Sequence, residues 1–178
     1  MAITVEIRKK DGRITETEAV PLRIRLLTAA EYKEHKALLP SVKGIWWLNT
    51  KGLSRDSMAV VCDDRISPIG LSVRSSAGFR PVVKLETADM EKGDTVEFAG
   101  EKWTAISNEE AVSDGIIMNG AFSIHSKNYL AYDFGGSQAE RQILKMFMQR
   151  GVQIPLTKRW RPAIGPKPVR KQPFPNEE

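Results

Sequence analysis

The stretch that most constrains the fold is residues 44–85, where four short runs rich in aromatic and β-branched residues follow one another, broken by turn residues. Runs at 45–49, 58–62, 66–73 and 79–85 have strand length, and Asp63-Asp64 between two of them is a turn signal. Pro68 cannot donate to a ladder, so its strand is expected at a sheet edge or with a bulge. Trp46 and Trp47 are neighbours on the first run and must project to opposite faces. One is therefore expected to fill the core, and the other to meet a second layer, a loop or a ligand. Arg80 near the end of the stretch is read as a strand-closing residue or a ligand contact, through charge-assisted hydrogen bonds.

The flanks continue the strand pattern. Ile3, Val5 and Ile7 alternate with polar residues, Asp11-Gly12 follows, and Ile14 begins another extended run, which together predict a hairpin within residues 1–20. Leu22, Ile24 and Leu26 alternate before Thr28, whose hydroxyl is placed to cap a helix while Glu31 answers as the other half of a capping box. That helix is expected to end by Pro40, with His35 on its exposed side. Val96, Phe98, Trp103 and Ile106 fit a hairpin around Ala99-Gly100, and residues 115–118 read as a short strand. Residues 119–136 carry only weak periodicity. Ser137 and Glu140 form a second capping pattern, and Ile143, Leu144, Phe147 and Met148 make one apolar stripe on a helix over 137–150. Gly151 is suited to the left-handed closing position.

These signals predict an α+β, strand-rich antiparallel domain over residues 1–153, with two short helices and an extended proline-rich segment at 154–178. In that last segment Pro155, Pro162, Pro166, Pro168, Pro173 and Pro175 exclude a regular helix or central strand. Charge gathers there too. Lys158, Arg159, Arg161, Lys167, Arg170 and Lys171, set against Glu177 and Glu178, give the stretch four of the formal net charge of +5. With Trp160 among them, these side chains are candidate contacts for phosphates and a stacked base, or for a protein partner.

The residues WWLNTKG at 46–52 and GFRP at 78–81 carry a resemblance. The segment is similar to the core of a poorly characterised family of bacterial and phage domains that reads WWLRSPG, then short strands, then GVRPAL. Trp46, Trp47, Leu48 and Gly52 match the opening, and Gly78, Phe79, Arg80 and Pro81 match the close. Asn49, Thr50 and Lys51 depart from Arg-Ser-Pro, so any role of that arginine does not carry over. The resemblance spans roughly residues 22–148 and implies a C-type-lectin-like fold, distantly similar to the sulfatase-activating scaffold. The paired active-site cysteines of the latter cannot be supplied by a chain with one cysteine, and the Glu-Pro-Asn and Trp-Asn-Asp motifs of cation-binding lectins do not occur.

The remaining chemistry is sparse. His35, His125 and Cys62 are too few for a Cys-rich zinc site and lack helical metal spacing. Cys62, after Val60 and Val61, reads as a small buried residue, and a dyad with His125 depends on the fold bringing the two together. The pairs Asp63-Asp64 and Glu109-Glu110 point to opposite faces if on strands. No phosphate-binding or dinucleotide fingerprint stands in the chain. No cofactor, metal or disulfide is expected, nor a membrane span or secretory signal, and the expected compartment is the cytoplasm, of a host cell if the chain is phage-encoded. Three readings follow in order: a non-enzymatic binding protein of phage or mobile-element type, including an accessory or host-defence-inhibiting protein; a nucleic-acid or nucleoprotein binder using the basic tail; and a virion component or unfamiliar enzyme.

Overall fold

A computed structural model describes residues 2–86, 89–123 and 134–156. The described chain is strand-rich, with strands pairing antiparallel save for one parallel contact, and with two short α-helices. The elements are β1 (Ile3–Arg8), β2 (Ile14–Arg25), α1 (Ala29–His35) with a 3-10 turn at Lys36–Leu38, β3 (Ile45–Lys51), β4 (Ser57–Cys62), β5 (Arg65–Ser72), β6 (Ser76–Phe79), β7 (Val82–Glu86), β8 (Thr95–Phe98), β9 (Glu101–Ala105), β10 (Glu110–Ser113), β11 (Met118–Ala121) and α2 (Gln138–Gln149).

Six strands close a barrel in the order β1-β2-β7-β10-β9-β8, and five form a sheet ordered β11-β6-β3-β4-β5. Four of the sheet's strands, β3 to β6, are an insertion into the barrel's chain between β2 and β7, and the fifth, β11, follows the last barrel strand. Each strand of the barrel has two neighbours, and β2 serves its own in turn along 12 residues: its first half pairs β1, its second half pairs β7. The sequence reading placed two separate extended runs here. They merge because neither Ala19 nor Val20 offers the chain a turn.

The run at 79–85 behaves in the opposite way. It breaks at Arg80-Pro81, with β6 in the sheet and β7 in the barrel. Pro81 has no N–H to give a ladder, so the chain changes sheets where pairing costs least. Gly78 stands just before the break, where an added Cβ would sit 2.7 Å from the Ile116 side chain; the close backbone approach explains the glycine. The strand expected at 115–118 is shifted to Met118–Ala121, and β10 was missed altogether, having only Ala111 and Val112 as apolar residues.

Several local signals act as their chemistry requires. Asp63 and Asp64 both take positive φ in the β4–β5 turn, as do Ala99 and Gly100 between β8 and β9, matching the right-handed twist of a tight hairpin. Gly12 closes the β1–β2 connection with φ of 94°. Thr28 and Glu31 complete the capping box of α1. On α2, Ser137 Oγ accepts from the Glu140 N–H at 3.1 Å, but the Glu140 carboxylate accepts from Gly136 N rather than from the cap itself. β5 is both an edge strand and bulged: Ser67 and Leu71 face Val60 and Met58, and the carbonyls of Pro68 and Ile69 in the bulge accept from Leu53 and Ser54.

Two apolar cores result. The larger includes Val5, Ile7, Val83, Leu85, Val96, Trp103 and Ala111 from barrel strands, continuing through Trp47, Val60, Phe79 and Phe122 to Ile143 and Phe147 of α2. The smaller gathers Leu27, Tyr32, Leu39, Trp46, Leu48, Val61, Val82 and Val112. Val82 and Val83, like Ala111 and Val112, fall in different cores because successive strand residues face opposite sides.

Candidate interaction groove

Trp46, Trp47 and Arg80 are all fully buried. Trp47 donates through Nε1 to Gly120 O at 2.9 Å and meets Phe122 edge-on at 5.7 Å. Trp46, on the other face, meets Tyr32 of α1 edge-on at 5.2 Å and carries the Arg80 guanidinium over its ring at 4.8 Å. Each tryptophan thus fills a different core, which is how adjacent strand residues can both be buried when a sheet is covered on both sides.

Arg80 is a fastener between chain segments. Its Nε donates to Ser113 O at 3.1 Å, and its Nη2 to Asp114 O at 3.3 Å and Pro40 O at 3.4 Å, so the sheet's last residue before the break is held to the end of β10 and to the loop after α1. Its partners are neutral carbonyls, and burial pushes its pKa below the ordinary guanidinium value despite the nearby Tyr32, Asp114 and Asp64. Arg80 Nη1 and Trp46 Nε1 find no acceptor among the described residues.

Around this node lies a polar frame. Arg25 on β2 grips Glu110 of β10 with two bonds of 2.9 Å and Glu31 of α1 with one of 2.8 Å, so α1 is strapped to the barrel. The Glu110 carboxylate, first, and Glu31 raise the Arg25 pKa against the opposing effect of burial. Burial would raise the Glu31 pKa, but Arg25 and the Thr28 backbone outweigh it and hold the carboxyl below its usual value. Asp64 accepts from Ser41 Oγ and the Val42 N–H, which fixes the loop after α1 and lowers its own pKa. His35, expected on the exposed side, is 8% exposed; the 3-10 turn continuing α1 carries the helix end back against the body. Cys62, expected to be buried, is half-buried at the end of β4.

The charged groups of this frame are therefore engaged in structural bonds, and among the described residues no three His, Cys, Asp or Glu side chains gather to hold a metal ion. His125, and with it the Cys62 dyad, lies outside the described residues, as do Lys158, Arg159, Trp160, Arg161, Lys167, Arg170 and Lys171. No helix among the described residues is long and apolar enough to cross a membrane.

A different surface has the properties of a binding site. A groove of about 600 Å³ runs between β2 and α2, lined by Val20, Pro21 and Leu22 on one side and Leu144, Lys145 and Met148 on the other. Arg141 and the segment from Val152 to Leu156 complete it. Its construction follows from the end of α2. Gly151 takes φ of 81° and donates to Met148 O at 3.0 Å, while Val152 donates to Phe147 O at 2.9 Å, which is a Schellman closure. Val152 is buried in the same core as Phe147, so the chain turns back and lays Ile154, Pro155 and Leu156 beside the helix.

The helix itself is anchored by Phe147, stacked against Trp103 at 5.9 Å and Phe98 at 6.4 Å, and by Arg150, which bonds Ala99 O and Glu101 at the β8–β9 turn. Buried positions Glu140, Ile143 and Phe147 follow helical spacing, and so do the groove positions Arg141, Leu144, Lys145 and Met148 beside them. The apolar stripe is wider than the core needs. Met148, expected to share in it, is 63% exposed, and Leu156 across the groove is 49% exposed. Only the surplus of apolar residues on α2, which carries Ala139, Ile143, Leu144, Met146, Phe147 and Met148 while the core fully buries Ala139, Ile143 and Phe147, hinted at this surface in the sequence. No family model, curated protein or solved structure matches the chain at a significant level.

Proposed function

We propose that this chain is a non-enzymatic interaction protein on a C-type-lectin-like scaffold, of the kind carried by phages and mobile elements, acting in the cytoplasm as an accessory or host-defence-inhibiting protein. The observation that supports the reading is the groove between β2 and α2, where Met148 and Leu156 stand in solvent on facing walls. Exposed apolar surface of this kind costs solubility unless something covers it. Methionine is the side chain best able to adapt to a partner's shape.

The second reading, a nucleic-acid or nucleoprotein binder, rests on the net charge of +4 from Lys158 onward and on Trp160 within it. One experiment separates the two. The full chain is used to capture partners from host lysate with and without nuclease, beside a Met148→Gln, Leu144→Gln variant. Loss of a captured protein in the variant, with no nuclease effect, is the expected result. Capture that vanishes with nuclease and ignores the variant would replace the first reading by the second.

A further inference from the structure

Resting on the reading of the chain as an interaction protein, we propose that the β2–α2 groove takes an extended apolar segment of a partner protein, which adds to the open edge of β2 beyond the end of β1. A backbone N–H of the segment donates to Pro21 O, and the side chains on one of its faces rest against Leu144, Met148 and Leu156.

The two edges of β2 are unequally used. The β1–β2 ladder stops at the Ile3–Ala19 pair, and Ala2 is exposed and outside the strand. From Val20 onward β2 has β7 alone as a strand neighbour, and Leu22, the bulge residue between Pro21 and Arg23, is left out of that pairing too. Val20, Pro21 and Leu22 are the β2 residues that line the groove, so one of its walls is an open strand edge.

Two hydrogen bonds fix where the Pro21 carbonyl points. Arg13, at the foot of β2, accepts from Lys9 N at 2.8 Å, and the register runs unbroken from Arg8–Ile14 to Ile3–Ala19. Backbone groups of successive strand residues turn to opposite edges, so every second residue from Arg13, through Ala19 to Pro21, directs its carbonyl to the β1 side. Leu85, which lies opposite Pro21 on β7, sends its own N–H the other way, to Glu109 O at 2.7 Å. Pro21 O therefore points off the free edge, and Pro21 is buried in the groove wall. No loop or turn N–H among the described residues meets it.

That geometry selects the guest. A strand edge with an outward carbonyl is a template for another extended backbone. A helix laid along the groove spends its N–H groups on its own carbonyls and has none for Pro21. A second copy joined edge to edge at Pro21 lacks the donor, because proline has no N–H. An extended guest supplies it wherever the residue opposite Pro21 is not itself proline. Its side chains alternate between two faces, so apolar residues at every second position turn toward Leu144 and the exposed Met148 and Leu156.

The test uses the full chain and labelled peptides: an octapeptide alternating valine and threonine, versions of it N-methylated at one amide at a time, and a helical peptide with a leucine stripe. Fluorescence anisotropy gives affinities. The site is read by NMR from protein carrying 13C-carbonyl proline and 15N-leucine, in which only the Pro21–Leu22 and Pro155–Leu156 peptide groups, both in the groove wall, join the two labels. The expected result is binding of the alternating peptide with a shifted Pro21–Leu22 signal. Methylating the amide that meets Pro21 O should weaken binding about tenfold, the order of one hydrogen bond left unmade, while its immediate neighbours tolerate methylation. Met148→Gln should weaken binding severalfold without changing the melting temperature. Absence of binding, methylation without effect at every amide, an unmoved Pro21–Leu22 signal, or equal or tighter binding of the helical peptide overturns the proposal. So does a Pro21–Leu22 signal that moves with protein concentration alone, which makes a second copy the occupant. If the peptides fail while the double variant still loses its lysate partner, the added-strand inference falls and the interaction-protein reading stands; if capture is also unaffected, both fall.

Discussion

The tryptophan-bearing sheet and the groove beside α2 invert what the sequence advertises. The sheet holds the two most conspicuous residues, Trp46 and Trp47, and a buried arginine, and presents none of them to solvent. The groove is made of ordinary residues, Leu22, Leu144, Met148 and Leu156, and two of them, Met148 and Leu156, remain uncovered on facing walls. Aromatic residues placed at the junction of two sheets are consumed in holding the layers together. A binding surface need only be what the core has left over.

Mutations on the two sides should therefore separate stability from binding. The largest effect is expected at Trp47→Ala, which empties the space between Gly120 and Phe122 and should cost about 3–5 kcal/mol, as large aromatic deletions in cores do. Chemical denaturation measures it; a loss below about 1 kcal/mol would mean that the sheet is not the packed side of the pair. Next comes Arg80→Ala, which leaves the carbonyls of Ser113, Asp114 and Pro40 without their donor at a cost of about 3 kcal/mol. Arg80→Met keeps most of the packing over Trp46 and should lose less than the alanine variant. Equal losses would show that the hydrogen bonds, rather than the stacked stem, carry the fastening.

A smaller effect is expected at the strap over Trp46. Glu31 has its folded pKa below the ordinary glutamate value of 4.5, so the unfolded chain takes up its proton first as pH falls. Its contribution is present above about pH 4.5 and lost as pH drops through the lower folded value. Glu31→Gln should cost about 0.5–1 kcal/mol at pH 7, the solvent-screened scale of a cap and a partly exposed ion pair, and the difference should shrink below pH 4. A pH-independent difference would assign the effect to the cap geometry alone. Smallest of all, Met148→Gln should change stability by less than about 0.5 kcal/mol. A larger loss would move the groove to the packed side and remove the contrast.

What the sequence made legible was local chemistry. The hairpin turns at Asp63-Asp64 and Ala99-Gly100, the Thr28 cap, the bulge-or-edge role of Pro68 and the helix after Ser137 all depend on a few neighbouring residues, and all are present. What it hid was which strand pairs with which. Pro81 can mark a break in pairing, but nothing nearby says that residues 79–85 pass there from one sheet to another, since Arg80 is held by the remote Ser113 and Pro40. β10 was missed for the same reason: Glu110 reads as a surface charge until Arg25, 85 residues earlier in the chain, is found beside it. The groove was hidden because periodicity marks an apolar stripe without saying how much of it the core will use.

The insertion of β3 to β6 between β2 and β7 has a consequence for the chain as it is made. The β1–β2 hairpin is complete once residue 25 has been synthesised, yet the outer edge of β2 has no partner until β7 appears at 82–86, and that of β1 none until β8 at 95–98. For that interval a nascent chain carries two open strand edges, bearing Val5, Ile7 and Ile24 that the finished barrel buries. Glu16 and Glu18 of β2, which project away from Val5 and Ile7, keep the other side of the waiting hairpin wet and charged. The order of strands along the chain thus makes the earliest-made hairpin wait for its neighbours, with acidic side chains as its protection against other chains.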